Sequence, residues 1–518
     1  MSIEKLLERD FGSIPELIRV HARERPQHAA LVQDAARLDF ATLDAQMDRV
    51  AAALAHGGVR AGEVVAICAT TSIAYAVTFL GAVRAGVAVA PLAPSATAES
   101  LAAMLSDCEA RVLFVDASTA ASFAGATVPR VALDEAEAVG TPFSRWLAPQ
   151  GSAPEPAPLA PEGRFNIIYS SGTTGTPKGI VQPNLMRWAH VRRGGDAGYG
   201  PDAVTLVSTP LYSNTTLVSF FPALSLGGTV VLMAKFDARK FLEIAARERV
   251  THAMLVPVQY ARIMAVPDFD AFDLSAFRMK FCTSAPFGAA LKADILARWP
   301  GGLIEYYGMT EGGGTVVLIA HEFPNKLHTV GRAAPGHDIR LVGDDGREVK
   351  PGETGEVVGR SPAAMMLGYH NQPGKTREAE WVDPDGNRYI RTGDVGRFDE
   401  DGFLLLLDRK KDMIISGGFN VYPSDLEAVL AQHPDVVEAA VVGVPSERWG
   451  ETPVAFVVTH DAARGDADAL ASWVNERVGK NQRLSALLLV PSLPRSAIGK
   501  VLKRELRDQY VATEQTKQ

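Results

Sequence analysis

A short segment near residue 170 concentrates the groups that bind a polyphosphate. Residues 169–179 read Tyr-Ser-Ser-Gly-Thr-Thr-Gly-Thr-Pro-Lys-Gly, and an apolar run from Phe165 to Tyr169, typical of a buried strand, precedes them. Glycines let backbone N–H groups converge on an anion, hydroxyl groups add donors, and Lys178 adds a positive charge. We therefore predict a phosphate-binding loop formed by Ser170, Ser171, Gly172, Thr173, Thr174, Gly175 and Lys178.

This segment has two other interpretations, a solvated loop and a Walker A loop. A loop rich in Gly, Ser and Thr is most often a solvated connection without function. The density of donors, the lysine and the preceding strand favour phosphate binding instead. A Walker A loop would need Gly-Lys-Ser/Thr, whereas Lys178 lies between Pro177 and Gly179, which argues against a P-loop NTPase.

The segment Tyr169–Gly179 resembles the phosphate-loop signature of the adenylate-forming superfamily. That superfamily includes acyl- and aryl-CoA ligases, and three further blocks of this sequence resemble its motifs in the same order. These blocks are Tyr306–Gly312, Arg391–Asp394 and Leu493–Val501. The resemblance implies ATP, Mg²⁺ and coenzyme A as cofactors and co-substrates, and a small-molecule carboxylic acid as the partner.

The block Tyr306–Gly312 follows a predicted strand, where α/β sheets place ligands. Glu311 offers a hard oxygen ligand for Mg²⁺, Thr310 a hydroxyl for a phosphate, and Tyr307 an aromatic face for a purine. By itself the block is also compatible with a hairpin carrying a surface glutamate. By resemblance, Thr310 and Glu311 are catalytic and Glu311 binds the metal. The resemblance also places near the nucleotide Ala285, Pro286, Glu305, Tyr306, Tyr307, Gly308 and Thr310.

The carboxyl-terminal blocks supply the remaining residues that the resemblance implies. The two oxygens of Asp394 suit two ribose hydroxyls, and Arg409 is the second ribose contact implied by the family. Lys411 matches the family's hinge and Lys500 its catalytic lysine, although a lysine in either context is more often a solvated side chain. A thiol channel for coenzyme A is implied at Ser416, Gly417, Gly418 and Phe419.

The resemblance also identifies an acyl pocket, formed by Tyr212, Ser213, Asn214, Ser284, Gly312 and Gly313. Ser213 departs from the family, in which many acyl- and aryl-CoA ligases have a histidine after the aromatic residue. Neighbouring apolar residues such as Leu217 and Phe220 favour an uncharged acyl or aryl group over a dicarboxylate. We expect a medium-chain fatty, aryl or alicyclic monocarboxylate. The resemblance argues against an α-amino acid, because amino-acid-activating members commonly have an aspartate here that binds the substrate ammonium group, and none lies between Tyr212 and Thr216.

Elements of alternating type must position these motifs. Strand and helix patterns alternate from about residue 13 to residue 327, interrupted by a proline-rich linker at 149–161, and predict an α/β fold with mostly parallel sheets. Short β-rich pieces at about 328–409 predict a small β-barrel. We expect an amino-terminal domain over residues 1–409 and a small α+β carboxyl-terminal domain over residues 412–518.

Length and composition limit the function further. The chain has 518 residues, and its 22% of charged residues is the value of an ordinary globular protein. Its net charge of −8 argues weakly against a nucleic-acid partner. Cys68, Cys108 and Cys282 lack metal-ligand spacing and predict reduced, buried thiols, which fits the cytoplasm. The charged first residues and the lack of a long apolar run predict no secretory signal and no integral membrane segment. The sequence leaves open a monomer or a homodimer.

The sequence therefore predicts a carboxylic acid–CoA ligase that forms an acyl-adenylate and pyrophosphate, then acyl-CoA and AMP. The main alternative is a stand-alone adenylation enzyme that loads an acyl or aryl group onto a carrier-protein thiol. We favour coenzyme A because no carrier attachment context follows the predicted ligase body before residue 518. A non-catalytic nucleotide-binding regulator is disfavoured because Glu311, Asp394 and Lys500 are present.

Overall fold

A computed structural model describes residues 2–170, 177–416, 419–446, 448–460, 466–495 and 501–517. The helices α1 to α15 are, in order, Ile3–Leu7, Ile14–Glu24, Phe40–His56, Ile73–Arg84, Ala98–Asp107, Phe143–Trp146, Asn184–Gly194, Asn214–Ser225, Ala238–Arg247, Pro257–Met264, Ala289–Arg298, Pro373–Glu378, Pro423–Leu430, Ala467–Asn475 and Lys503–Lys517.

The strands β1 to β27 are, in order, Ala29–Gln33, Ala36–Asp39, Val64–Cys68, Ala88–Pro91, Leu113–Val115, Arg130–Ala132, Thr141–Pro142, Arg164–Ser170, Lys178–Pro183, Val204–Val207, Thr229–Leu232, His252–Leu255, Met279–Cys282, Gly302–Tyr307, Val316–Ile319, Arg332–Ala333, Asp338–Val342, Gly355–Arg360, Gly368–Tyr369, Glu380–Val382, Arg388–Phe398, Leu404–Arg409, Ile414–Ser416, Phe419–Val421, Val436–Ser446, Gly450–Thr459 and Ala486–Leu489.

Helix starts follow local side-chain chemistry. The hydroxyl groups of Ser72 and Thr97 accept hydrogen bonds from the backbone N–H groups of Tyr75 and Ser100, so they cap α4 and α5. Asp237 caps α9 in the same way. Each cap satisfies a backbone donor that the helix itself leaves unpaired. These residues therefore mark where the three helices start.

Two large sheets carry the amino-terminal part of the chain. A nine-stranded sheet has the order β16-β15-β14-β13-β12-β10-β11-β1-β2, and an eight-stranded sheet has the order β19-β9-β8-β4-β3-β5-β6-β7. Their central strands run parallel; β3 pairs in parallel with both β4 and β5, and β13 with both β12 and β14. The predicted α/β class with mostly parallel sheets is confirmed, because helices separate the parallel strands along the chain.

The chain divides into two compact units. The first comprises residues 1–328, 333–339 and 359–390, and the second residues 329–332, 340–358 and 391–518. One five-stranded sheet has the order β17-β18-β21-β20, with β22 beside β21. The other has the order β24-β23-β26-β25, with β27 beside β26, and α13 and α14 complete a small α+β fold around it.

Aromatic side chains fill the centre of the first unit. Phe221 of α8 meets the rings of Phe79 and Phe165 edge-on at centroid distances of 5.4 and 5.1 Å. All three side chains are buried, and such edge-to-face pairs stabilise a core beyond the area they bury. This packing fixes β8, which leads into the predicted phosphate loop, against α8, which begins at the predicted acyl pocket.

Two expectations from composition can be compared with the structure. Cys68, Cys108 and Cys282 are free thiols and all three are buried, as predicted. Within the described residues, no helix combines the length and the apolar character needed to cross a membrane.

Candidate nucleotide and acid site

A β-hairpin holds the two ends of the predicted phosphate loop together. Strands β8 and β9 are antiparallel, with Tyr169 opposite Gly179 and Ser170 opposite Lys178. A side chain at Gly179 would lie only 2.9 Å from Ile167 and 3.2 Å from His370, so glycine is needed there. The predicted donors Ser171, Gly172, Thr173, Thr174 and Gly175 lie outside the described residues. The hairpin therefore places Ser170 and Lys178 side by side where the loop begins and ends.

Tyr369, which was not predicted from the sequence, connects this hairpin to the second motif, Tyr306–Gly312. Its strand β19 pairs with β9, with Tyr369 opposite Ile180. The ammonium group of Lys178 lies 5.1 Å from the centre of the Tyr369 ring, within cation–π range. The Tyr369 hydroxyl donates a hydrogen bond of 2.9 Å to Oε1 of Glu311. Lys178 and Glu311, which are 133 positions apart in sequence, thus share one aromatic side chain.

The residues around Glu311 fit a magnesium ion that also contacts a substrate. In the described part of the chain, no group of three or more His, Cys, Asp or Glu side chains could enclose a metal. Mg²⁺ rarely needs such an enclosure, because it commonly takes about one or two protein carboxylates and completes its shell with water and phosphate oxygens. Glu311 is half-buried and held by Tyr369, so it can supply one such carboxylate.

Strand β14 carries three residues predicted to contact the nucleotide. Glu305 is buried and forms an ion pair with the equally buried Lys292 of α11, whose ammonium group also donates to the Leu327 carbonyl at 2.8 Å. Burial raises the pKa of the Glu305 carboxyl to about 7, although Lys292 acts to lower it. Tyr306 and Tyr307 end the strand, and both are half-buried. The ion pair of Glu305 therefore fixes β14 in place just before the half-buried strand end that carries Tyr306 and Tyr307.

A buried network of polar side chains binds the backbone carbonyl of Thr310. Nε2 of Gln182 donates to the Thr310 carbonyl at 2.5 Å, and Oε1 of Gln182 accepts from the guanidinium group of Arg187. Arg187 also donates to Oδ1 of Asn166 at 3.1 Å and to Oδ1 of Asn214 at 2.9 Å. The network joins β8, β9, α7 and the start of α8 to the second motif. The sequence analysis predicted Asn214 but not Arg187 or Gln182.

Residues of the predicted acyl pocket come from three separate segments. Ser213 lies at the amino end of α8 and is 8% exposed, and Tyr212 before it is half-buried. Thr215 and Ser284 share a 2.6 Å hydrogen bond between their hydroxyl groups. Ser284 has φ = 82°, a left-handed conformation that non-glycine residues seldom adopt and that is often found at functional sites. It directs the turn that contains Ala285 and Pro286.

Gly312 and Gly313 have a packing reason for lacking side chains. Both have positive φ, and a Cβ atom on Gly312 would lie 2.1 Å from the Ala364 carbonyl oxygen. A Cβ atom on Gly313 would lie 2.7 Å from the Gly359 carbonyl oxygen. The two glycines therefore allow residues 359–364 to approach the second motif closely, whatever they contribute to an acyl pocket.

The predicted ribose contacts meet in the second unit. Strands β21 and β22 place Asp394 opposite Arg409, and Nε of Arg409 lies 3.1 Å from Oδ1 of Asp394. Asp394 is 9% exposed, and Arg409 holds its carboxylate in place. Lys411 is exposed and follows β22 by two residues.

The predicted thiol channel and catalytic lysine are described only in part. Ser416 is 9% exposed at the end of β23, and Phe419 is 58% exposed at the start of β24. Gly417, Gly418 and Lys500 lie outside the described residues.

Family models match most of the chain. The model described as "AMP-binding enzyme" matches residues 18–370, and the model described as "AMP-binding enzyme C-terminal domain" matches residues 425–500. The first match contains the hairpin, Tyr369 and Glu311, and the second ends at Lys500.

Characterised relatives match over nearly their full length. An indoleacetate–CoA ligase of Aromatoleum aromaticum is 34% identical over 95% of this chain and 97% of its own. A feruloyl-CoA synthase of an Amycolatopsis species is 34% identical over 94% and 97%, respectively. A fatty acid–[acyl-carrier-protein] ligase, ScoC of Streptomyces coeruleorubidus, is 30% identical over 98% of both chains. The crystal structure of ATP-bound MatB from Rhodopseudomonas palustris superimposes with a TM-score of 0.86 at 28% identity, covering 96% of this chain and 99% of that one.

The Tyr369 hydroxyl can be tested by removing it. Tyr369→Phe keeps the ring over Lys178 but leaves Glu311 without its hydrogen bond. A hydrogen bond to a charged group contributes roughly 1.5–3 kcal/mol, so we expect a loss of about tenfold in kcat/KM for ATP and a higher Mg²⁺ requirement. Steady-state kinetics over a magnesium titration measure both. A titration curve equal to that of the wild type would show that Tyr369 does not orient Glu311.

The raised pKa of Glu305 predicts a specific pH dependence of stability. Between pH 4.5 and about 7 the folded protein binds more protons at Glu305 than the unfolded chain does, so this residue's contribution to stability falls as the pH rises. Glu305→Gln cannot titrate. The free energy of unfolding of the wild type minus that of Glu305→Gln should therefore decline from pH 4.5 to pH 7, as measured by urea denaturation at each pH. A difference that is constant across this range would contradict the assignment.

Proposed function

The chain belongs to the AMP-binding enzyme family, and from that premise we propose that it is an ATP-dependent carboxylic acid–CoA ligase. In the first half-reaction a substrate carboxylate oxygen attacks the α-phosphorus of ATP, the bond to the β-phosphate breaks, and pyrophosphate leaves. In the second, a thiol attacks the carbonyl carbon of the acyl-adenylate and AMP leaves. The observation that supports this proposal most strongly is the joint placement of Lys178 and Glu311 on Tyr369.

Each step needs positive charge and fixed donors where negative charge collects. Ser170, Lys178 and the loop between them would bind the phosphates, and Thr310 would contact the α-phosphate. Glu311 would hold Mg²⁺, which neutralises charge on the phosphates when it is bound. Asp394, with Arg409 beside it, would accept hydrogen bonds from the ribose. Electrostatic stabilisation of this kind is usually the largest contribution to phosphoryl-transfer catalysis.

Lys500 would act in the first half-reaction only. By resemblance it supplies charge to the forming adenylate, and the region after the proposed hinge at Lys411 would then move so that Ser416 and Phe419 border the thiol path. We propose domains at 1–409 and 412–518 that alternate between the two half-reactions. Hinge motion of this type commonly separates the steps of a multistep enzyme.

The relatives support a class of acid without fixing one. Indoleacetate, ferulate and fatty acids are named for proteins at least 30% identical to this chain. We propose that the substrate is an aryl or fatty monocarboxylate and that the enzyme acts in the cytoplasm, in line with its free, buried thiols. A carrier-protein thiol is the second candidate acceptor, because one relative is named for that reaction.

Exchange of labelled pyrophosphate into ATP tests the ligase proposal directly. A panel of indole-3-acetate, ferulate, 4-coumarate, octanoate and malonate should give acid-dependent exchange with the aryl or medium-chain acids and little with malonate. Addition of coenzyme A should then give a thioester and AMP. Exchange without thioester formation would favour a carrier protein as the acceptor, and no exchange with any acid would refute the proposal.

Replacing Lys500 separates the half-reactions. Lys500→Ala should slow adenylate formation by roughly two to three orders of magnitude, because the charge that stabilises the transition state is lost. Thioester formation from supplied acyl-adenylate should remain within a few-fold of wild type. Arg504→Ala on α15 is a control that removes a nearby but exposed positive charge outside the motif. Equal loss of both half-reactions in Lys500→Ala would contradict alternation.

A further inference from the structure

Arg187 is a buried cation without a carboxylate partner. Its side chain is 1% exposed, and its hydrogen bonds go to neutral amide oxygens of Asn166, Gln182 and Asn214. The guanidinium group also lies 5.8 Å from the ring centres of Phe165 and Phe221, which offer cation–π contacts but no counterion. No described carboxylate lies within ion-pair distance of the guanidinium group, and its Nη1 atom has no hydrogen-bond partner among the described residues. Burial lowers the pKa of Arg187 to about 9. An unpaired buried charge is costly, so this site is incomplete as it stands.

The network fixes the orientation of the Asn214 amide. Oδ1 of Asn214 accepts from Nη2 of Arg187 at 2.9 Å, and Nε2 of Gln182 lies 3.4 Å from the same oxygen. Arg187 has donors only, so the Asn214 oxygen must face it and the amide NH₂ group must point the other way. In the described part of the chain that NH₂ group has no hydrogen-bond partner. Asn214 is half-buried, whereas Arg187, Gln182 and Asn166 are buried.

The NH₂ group of Asn214 lies among residues already assigned to the acid. Ser213 precedes it, and Thr215 after it is hydrogen-bonded to Ser284. Gln182, which shares Arg187 with Asn214, also holds the Thr310 carbonyl. Arg187 therefore orients and polarises two amides. One is that of Asn214, on the acid side of the site, and the other is that of Gln182, which binds the Thr310 carbonyl.

We propose that the substrate carboxylate is the missing counterion of Arg187, bound through the NH₂ group of Asn214. Asn214 is then a carboxylate-binding, specificity-determining residue, and Arg187 is a positioning residue that fixes its orientation and polarises it. This inference rests on the proposed ligase function and assigns a new role within that site. It requires an ionised acid, so the primary amide of the same acid should bind poorly.

Two aspartate substitutions separate this role from a structural one. Asn214→Asp gives Arg187 a carboxylate partner but places that charge where the acid would bind. Asn166→Asp also gives Arg187 a carboxylate, on the far side of the network, and removes an Asn166 NH₂ group that lacks a hydrogen-bond partner in the structure. Both variants should therefore raise the melting temperature. Asn166→Asp leaves the Asn214 donors in place but supplies the counterion that the acid would otherwise provide, so the pair separates the charge of Arg187 from the NH₂ group of Asn214.

Pyrophosphate exchange is measured for both variants with the best acid of the panel above and its primary amide as inhibitor. We expect Asn214→Asp to raise the KM for the acid at least tenfold with the KM for ATP within twofold of wild type. Asn166→Asp should also raise the KM for the acid, by a smaller factor, because it neutralises Arg187 without placing a negative charge where the acid binds. A wild-type acid KM in Asn166→Asp would overturn the proposal, because the charge of Arg187 would then play no part. A lower melting temperature of Asn214→Asp together with a raised KM for ATP would also overturn it, because that result indicates a structural role. Inhibition by the amide as strong as by a competing acid would also overturn it.

Failure of the ligase proposal gives a different result. A wild-type enzyme that exchanges no pyrophosphate with any acid refutes the proposed function and this inference together. A wild-type enzyme that is active, with an Asn214→Asp variant that uses the acid normally, refutes only the role of Asn214 and Arg187.

Discussion

Backbone pairing on both edges of strand β9 is the constraint on which the candidate site depends. On one edge β8 brings Ser170 opposite Lys178, and on the other β19 brings Tyr369 opposite Ile180. Gln182 lies further along the same strand and reaches the Thr310 carbonyl. A shift of β9 by one residue would turn Lys178 and Gln182 to the opposite face of the sheet and separate them from Tyr369 and Thr310. The same pairing thus positions both ends of the predicted phosphate loop and, through Gln182, the second motif.

Two buried cations of the first unit illustrate opposite solutions to desolvation. Lys292 is paired with Glu305 and bound to a backbone carbonyl, so its charge is compensated within the protein. Arg187 has no carboxylate partner among the described residues and contacts neutral amide oxygens and the rings of Phe165 and Phe221 instead. Replacing one member of a buried ion pair leaves an uncompensated charge and commonly costs about 3–5 kcal/mol. Arg187 has such a buried charge without a carboxylate partner in the protein itself, as expected if the counterion arrives with the substrate.

Close backbone approach explains residue types that a search for chemistry would attribute to the ligand. Gly312 and Gly313 follow Glu311 and accommodate the carbonyl oxygens of Ala364 and Gly359. That contact also supports the backbone bond from the Met366 N–H group to the Glu311 carbonyl at 2.8 Å. The glycines, the strand that carries Tyr369 and the Glu311 carboxylate proposed to bind the metal therefore form one packed unit. Pocket shape and motif geometry are consequences of the same contacts.

Local patterns in the sequence determined the elements and the motifs. Ser72, Thr97 and Asp237 start their helices through bonds to residues three positions away, and apolar runs such as Val64–Cys68 form buried strands. The motif around Glu311 was recognisable because its residues are contiguous. Tyr369 and Arg187 were not predicted, since a tyrosine between Gly368 and His370, or an arginine within a helix, has no local signature of function. Their roles arise only when tertiary packing brings Lys178 and Glu311 to one ring, and Asn166, Gln182 and Asn214 to one guanidinium group that is removed from water.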